Sequence, residues 1–151
     1  MVRKGMATSE PTAPNTAQLI DGGFTRAGVW RAHDIEGFIR FEGDQPLPKE
    51  PGVYAYAVGG VVRYVGSAQR GLSRRLRHYE IATTLRTAHR IRQEILALLA
   101  GGHEVEVFTI VPAPMMHSSG LPIDVVAGLE EGLIRSWRPV WNRRGMGTRH
   151  E

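Results

Sequence analysis

The chain has 151 residues, 42% of them apolar, a formal net charge of +4 and no cysteine. That suits one compact domain with a substantial core and excludes disulfides, cysteine-ligated zinc and thiol nucleophiles. No apolar run approaches the roughly 18 residues that span a bilayer, and residues 1–13 hold no stretch of the secretory kind, so a soluble, cytoplasmic protein with no membrane partner is expected.

Residues 1–16 mix Ser, Thr, Pro, Asn and charge without period and read as a flexible tail. Residues 17–50 read as an N-terminal extension packed on the main domain. It should hold a short helix near 16–20 and short extended pieces after it, with Leu19, Ile20, Phe24, Val29, Trp30, Ile35, Phe38 and Ile39 partly buried. Pro46, Pro48 and Pro51 mark 42–51 as a loop. The main domain is expected over 51–144. Its first two strands, 53–58 and 61–65, are apolar runs parted by Gly59-Gly60, a hairpin signal. A loop over 66–71 leads to a basic helix over 72–81. A second helix over 87–99 sets Ile91, Ile95, Leu98 and Leu99 on one face, and Gly101-Gly102 ends it. Val105, Val107 and Thr109 alternate with Glu104, Glu106 and Phe108 as a third strand. Residues 111–122 read as a loop in which Met115 and Met116 pack. Val126, Leu129, Leu133, Ile134 and Trp137 stand at helical spacing over 124–137, and Pro139 stops that helix. Residues 145–151 form a tail. The order predicts an α+β fold, β-β-α-α-β-α, with a small three-stranded antiparallel sheet flanked by helices.

Positive charge is clustered. Between Arg63 and Arg92 stand eight arginines and one acid, Glu80, and seventeen of the nineteen basic residues are arginine. The planar guanidinium fork suits phosphate oxygens, so the cluster reads as the footprint of a polyanion. A merely solvated helix face is the plain alternative.

Gly52-Val53-Tyr54 followed after nine residues by Tyr64-Val65-Gly66 resembles the paired signature of GIY-YIG nucleases. Residues 67–79, S-A-Q-R-G-L-S-R-R-L-R-H-Y, are similar to that family's loop-and-helix segment and its Arg-Leu pair, matching the family's active-site arginine at Arg75. Leu129-Glu130-Glu131-Gly132-Leu133-Ile134, leading to Arg138-Pro139-Val140-Trp141-Asn142, resembles the third motif and matches its metal-binding glutamate at Glu130 rather than Glu131. The resemblance covers about residues 51–143. It implies an endonuclease that hydrolyses DNA, with DNA favoured over RNA, using one Mg²⁺ or Mn²⁺ ion held by Glu130. It also implies catalytic roles for Tyr54, Tyr64, Arg75, Tyr79, Glu130 and Asn142, with Tyr54 the general base and its proton relayed. Arg63, Arg70, Arg74, Arg77 and His78 would contact nucleic acid. Tyr56, Trp137 and Trp141 read as packing. A catalytically idle binder using the same basic helix is the second reading.

The two motif tyrosines set a geometric condition. A two-residue Gly59-Gly60 turn pairs Ala55 with Tyr64, which points Tyr54 and Tyr64 to opposite faces. An odd connection such as Gly59-Gly60-Val61, or a bulge, restores a common face. The odd connection is expected, with Tyr54, Tyr56 and Tyr64 together.

Overall fold

A computed structural model describes residues 13–84 and 86–142; most of the expected N-terminal tail and all of 145–151 lie outside them. The first helix, α1 (Thr16–Asp21), is set by a capping box: Asn15 accepts from the Gln18 amide while the Gln18 side chain accepts from the Asn15 amide. There follow β1 (Thr25–Ala32), β2 (Ile39–Gly43), β3 (Gly52–Val58), β4 (Val61–Ala68), α2 (Leu72–Ile81), α3 (Arg86–Ala100), β5 (Val105–Ile110), β6 (Met115–Met116), β7 (Pro122–Ile123) and α4 (Val125–Trp137). Asp124 caps α4 by accepting from the Ala127 amide.

The main sheet has five strands in the order β2-β1-β5-β3-β4, each neighbouring pair antiparallel. The α+β class holds, but the expected three strands are two short. The N-terminal segment supplies the others: β1 pairs with β5, and β2 with β1. Their signal is weak because β1 carries arginines near both ends and a register shift between Arg26 and Gly28 breaks the two-residue period. Within residues 111–122, expected as loop, β6 and β7 form a separate two-stranded ribbon. It lifts Met115 and Met116 into solvent, 64% and 67% exposed, so the expected packing of these methionines is not found. Ile20 and Ile35, also expected partly buried, are exposed, while Leu19, Phe24, Val29, Trp30 and Ile39 are buried.

Helices cover both faces of the sheet. Trp30, Tyr54, Tyr56, Tyr64, Val105 and Val107 pack with Leu72, Leu76, Ile91 and Ile95 of α2 and α3. On the opposite face Val53, Ala55, Ala57, Val65 and Phe108 pack with Leu19 of α1 and with Val126 and Ile134 of α4. Alternate residues of β3 thus serve two cores, which is why the strand is apolar throughout. No helix among the described residues is long and apolar enough to cross a membrane.

The hairpin corrects one expectation in detail. Val58 pairs with Val61, so the connection is the two-residue Gly59-Gly60 turn and not an odd one. Both glycines have positive φ, 57° and 83°, as the tight hairpin turn requires. The pairing then slips: Ala57 faces Val62 but Tyr56 faces Tyr64, leaving Arg63 as a bulge. Val62 therefore packs with α1 and α4, while Tyr64, two residues on, packs with α2 and α3. The bulge is what brings Tyr54, Tyr56 and Tyr64 to one face.

Candidate active site

Four phenols gather between β3, β4 and α2. The hydroxyls of Tyr54 and Tyr79 are 2.9 Å apart, and Arg75 Nε donates to Tyr54 Oη at 3.2 Å. The Arg75 guanidinium also lies 5.4 Å from the centre of the Tyr79 ring. Arg75 and Tyr79 are four residues apart on α2 and so share its inner face. Tyr54, Tyr56 and Tyr79 are sealed from solvent; Tyr64 keeps 6% exposure. Tyr56 has ring contacts with Tyr54 and Tyr64, and its buried hydroxyl has no partner, in keeping with a packing role.

Gly66 makes this arrangement possible. It pairs across the ladder with Tyr54, and a Cβ on it would stand 2.6 Å from both Oη and Cζ of that ring. The phenol occupies the space a side chain would need. The next residue points to the other face of the sheet, where Ser67 Oγ donates to Glu130 Oε1 of α4 at 2.8 Å. The phenols and the carboxylate therefore approach edge strand β4 from its two sides. Gln69 Nε2 donates to both oxygens of Asp124, at 3.3 and 3.0 Å, which ties the start of α4 to the segment after β4.

The segment after α4 docks on the same strand. Asn142 Oδ1 accepts from the Val65 amide at 3.0 Å and its Nδ2 donates to the Val65 carbonyl at 2.9 Å. The Trp141 amide donates to the carbonyl of the bulged Arg63 at 2.8 Å. Asn142 is thus a main-chain clamp on the Tyr-Val-Gly strand. Arg63 enters the arrangement through its backbone. Trp141 is buried as expected, and Trp137 is half-buried against the α4 core.

Electrostatics separates the phenols. Burial, with electrostatic coupling to Tyr54 next, pushes Tyr56 and Tyr79 well above the ordinary phenol value. Tyr64 is raised by the same two causes; a hydrogen bond with Tyr79 works the other way, and the Glu130 charge adds to the rise. Electrostatic coupling to Tyr54, foremost, holds the Arg75 guanidinium above its usual value. Arg70, Arg74 and Arg77 are exposed on or just before α2. His78 beside them is held below the usual imidazole value by burial first, then by the charges of Arg75, Arg74, Arg70 and Arg77. These five residues form one basic patch. Arg90 and Arg92, which belong to the same run of arginines in the sequence, turn inward instead: Arg92 is 1% exposed, and both donate to main-chain carbonyls.

No cluster of three or more His, Asp or Glu suited to a metal occurs among the described residues. One carboxylate, Glu130, is partly exposed at the edge strand and oriented through a single oxygen. A hard divalent cation prefers oxygen donors and keeps several waters, so this donor set fits a sparsely held, hydrated ion. Glu131 pairs with Arg135 one turn on. Ser67 is a site residue that the sequence did not single out, although its place directly after Tyr64-Val65-Gly66 is a usable signal.

The fold and this phenol–guanidinium–carboxylate edge define a class. A mutant of bacteriophage T4 EndoII is similar with a TM-score of 0.65 and 20% identity, covering 87% of this chain and 99% of that one. Restriction endonuclease HPY188I in complex with product DNA is similar with a TM-score of 0.51 and 13% identity, covering 98% and 100%. Those likenesses concern the fold. The GIY-YIG N-terminal endonuclease domain of UvrC from Thermotoga maritima, bound to its catalytic magnesium, is 32% identical over 64% of this chain and 86% of that one, with a TM-score of 0.44. The chain belongs to the GIY-YIG nuclease family. No family model and no curated protein matches it.

Proposed function

We propose that this protein is a divalent-cation-dependent DNA endonuclease with its active site on edge strand β4. The observation that carries the reading is the junction at Gly66-Ser67: Tyr54, bonded to Arg75 and Tyr79, lies over the glycine, and Glu130 is held by the serine. Arg75 can only donate, and Tyr79 is kept protonated by its burial. Both bonds therefore favour a Tyr54 that accepts, the form a general base needs.

Tyr54 is sealed from solvent, whereas Tyr64 reaches the surface near Glu130. The proton of an attacking water would thus enter at Tyr64 and be handed on through Tyr79 to Tyr54. Tyr54 would begin as the anion that Arg75 holds; each outer hydroxyl gains one proton and releases one, Tyr54 ends protonated, and the negative charge passes to the oxygen of the attacking water. Arg75 spends Nε on Tyr54, which leaves its terminal N–H groups for a phosphoryl oxygen. Glu130 would hold the cation, Mg²⁺ or Mn²⁺, whose charge supports the phosphoryl and leaving oxygens. Arg70, Arg74, Arg77 and His78 lie where they can contact the backbone of the nucleic acid, with DNA favoured over RNA. Asn142 keeps β4 in register.

The test is cleavage of plasmid and oligonucleotide DNA with Mg²⁺ or Mn²⁺, comparing wild type with Glu130→Gln. Metal-dependent cutting by the wild type alone is expected. Equal cutting by both removes Glu130 from the site. Retained DNA binding with no cutting under any divalent cation replaces the nuclease with an idle binder.

A further inference from the structure

Arg92 is the most buried charged side chain in the sheet-and-helix core, at 1% exposure, and no carboxylate among the described residues pairs with it. Its Nη1 donates to the Tyr79 carbonyl at 2.9 Å, its guanidinium lies 5.2 Å from the centre of the Phe38 ring, and its Nε has no partner. Withdrawing a guanidinium from water is costly, and a methionine of similar length would fill the space without that cost. What the methionine cannot supply is a donor. The carbonyl it serves is one of the last four of α2, which lack an intrahelical partner. That carbonyl belongs to the residue whose hydroxyl meets Tyr54.

Arg90, two residues earlier on α3, does the matching thing at the other end of the site. Its Nη1 donates to the Trp141 carbonyl at 3.0 Å, immediately before the Asn142 clamp on β4. Helix α3 contributes no residue to the phenol–carboxylate junction, yet two of its arginines grip the main chain at Tyr79 and beside Asn142.

We propose that Arg92 and Arg90 are positioning residues of the nuclease site, Arg92 fixing Tyr79 within the phenol relay and Arg90 fixing Asn142 on β4. They act through these residues and touch neither DNA nor cation. The inference rests on the nuclease reading for its kinetic consequence, not for its geometry.

Three measurements test it. In single-turnover cleavage, Arg92→Met should lower the rate constant about 10- to 100-fold, the loss that a small misplacement of a reacting group causes. The DNA concentration for half-maximal rate should stay unchanged, and Arg92→Lys should recover most of the loss. The double variant Arg92→Met/Tyr79→Phe should be no slower than Tyr79→Phe alone, and Arg90→Met/Asn142→Ala no slower than Asn142→Ala alone. Full multiplication of the two losses, or an unchanged rate in both single variants, overturns the proposal. The third readout needs no cleavage: with fluorotyrosine incorporated, the Tyr79 resonance should move in Arg92→Met and return in Arg92→Lys. An unmoved resonance in a folded variant overturns the Arg92 assignment whether or not the wild type cuts DNA. Should Arg92→Met fail to fold, Arg92→Gln, which keeps a donor, and Arg92→Lys carry the same comparison. A wild type that never cuts DNA, with the Tyr79 resonance moving as stated, ends the nuclease reading and leaves the positioning intact.

Discussion

At Gly66 a missing side chain decides the position of a phenol. A methyl group there would sit 2.6 Å from Tyr54 Oη, so Gly66→Ala must push the ring off Arg75 and Tyr79. Cleavage should fall about 100-fold, since a misplacement near 1 Å costs that much, while circular dichroism stays that of the wild type. A wild-type rate in the alanine variant would show that Tyr54 need not lie over β4. In the proposed mechanism, removing the Tyr79 hydroxyl interrupts the relay. Tyr79→Phe should lose roughly 10²–10⁴-fold in rate, the range for a general base out of reach, with DNA binding unaffected in a mobility-shift assay. His78 supplies a prediction in pH. Its folded value lies below the ordinary one, so the unfolded chain takes the proton first. The stability tied to neutral His78 is full above about pH 6.5, the ordinary imidazole value, and is lost as the pH falls below it. The melting temperature of the wild type should therefore drop more steeply under mild acid than that of His78→Gln. Parallel curves would mean that neither burial nor the surrounding arginines shifts this imidazole.

Among the elements, how much could be read in advance followed from how local each signal was. A hairpin at Gly59-Gly60, a basic helix at α2, the α3 periodicity and the α4 stop at Pro139 are decided within a few residues, and the structure has them, although the turn is two residues long and not odd as expected. Strands β1 and β2 were not legible as sheet members because β1 joins the sheet only through β5, some eighty residues along, and β2 only through β1. The same holds for the site. Tyr54, Tyr64, Arg75, Tyr79, Glu130 and Asn142 were singled out through spacing and resemblance. Ser67 was missed because its meaning lies in a hydroxyl meeting a helix sixty-three residues away. The arginine run misled for the opposite reason: composition cannot show which guanidinium groups turn inward, and Arg90 and Arg92 do. At this scale Asn142→Ala frees both the amide and the carbonyl of Val65 from their partners. It should cost about 1–3 kcal/mol in chemical unfolding, the penalty for part-buried groups left unpaired, and lower the cleavage rate as β4 loosens. Unchanged stability would show that the clamp contributes nothing to the strand.

Across the whole molecule, charge is unevenly spread. Arg26 pairs with Glu104 and Glu106, and Arg31 with Glu42 and Glu104, so on the far side of the sheet two arginines are engaged by three glutamates. The patch of Arg70, Arg74 and Arg77 is exposed on the side of the phenols. Removing a guanidinium that neutralises one phosphate should lower the salt dependence of duplex binding by about 0.9 in the log–log slope. The triple alanine variant at these positions should fall by between one and three such steps, and the Arg26→Ala, Arg31→Ala pair by none. Equal slopes in the two variants would place the nucleic acid elsewhere. The bulge at Arg63 links these scales, because one inserted residue has two separable effects. A chain shortened by deleting Arg63 would still set Tyr56 against Tyr64, so the aromatic rings would stay gathered. Trp141 would lose the carbonyl it now meets, however, and the Asn142 clamp on Val65 would be left to hold the last described turn to the hairpin. Such a deletion mutant would keep its rings in place while loosening the hold on Trp141 and Asn142, separating two contributions that one inserted residue now makes together.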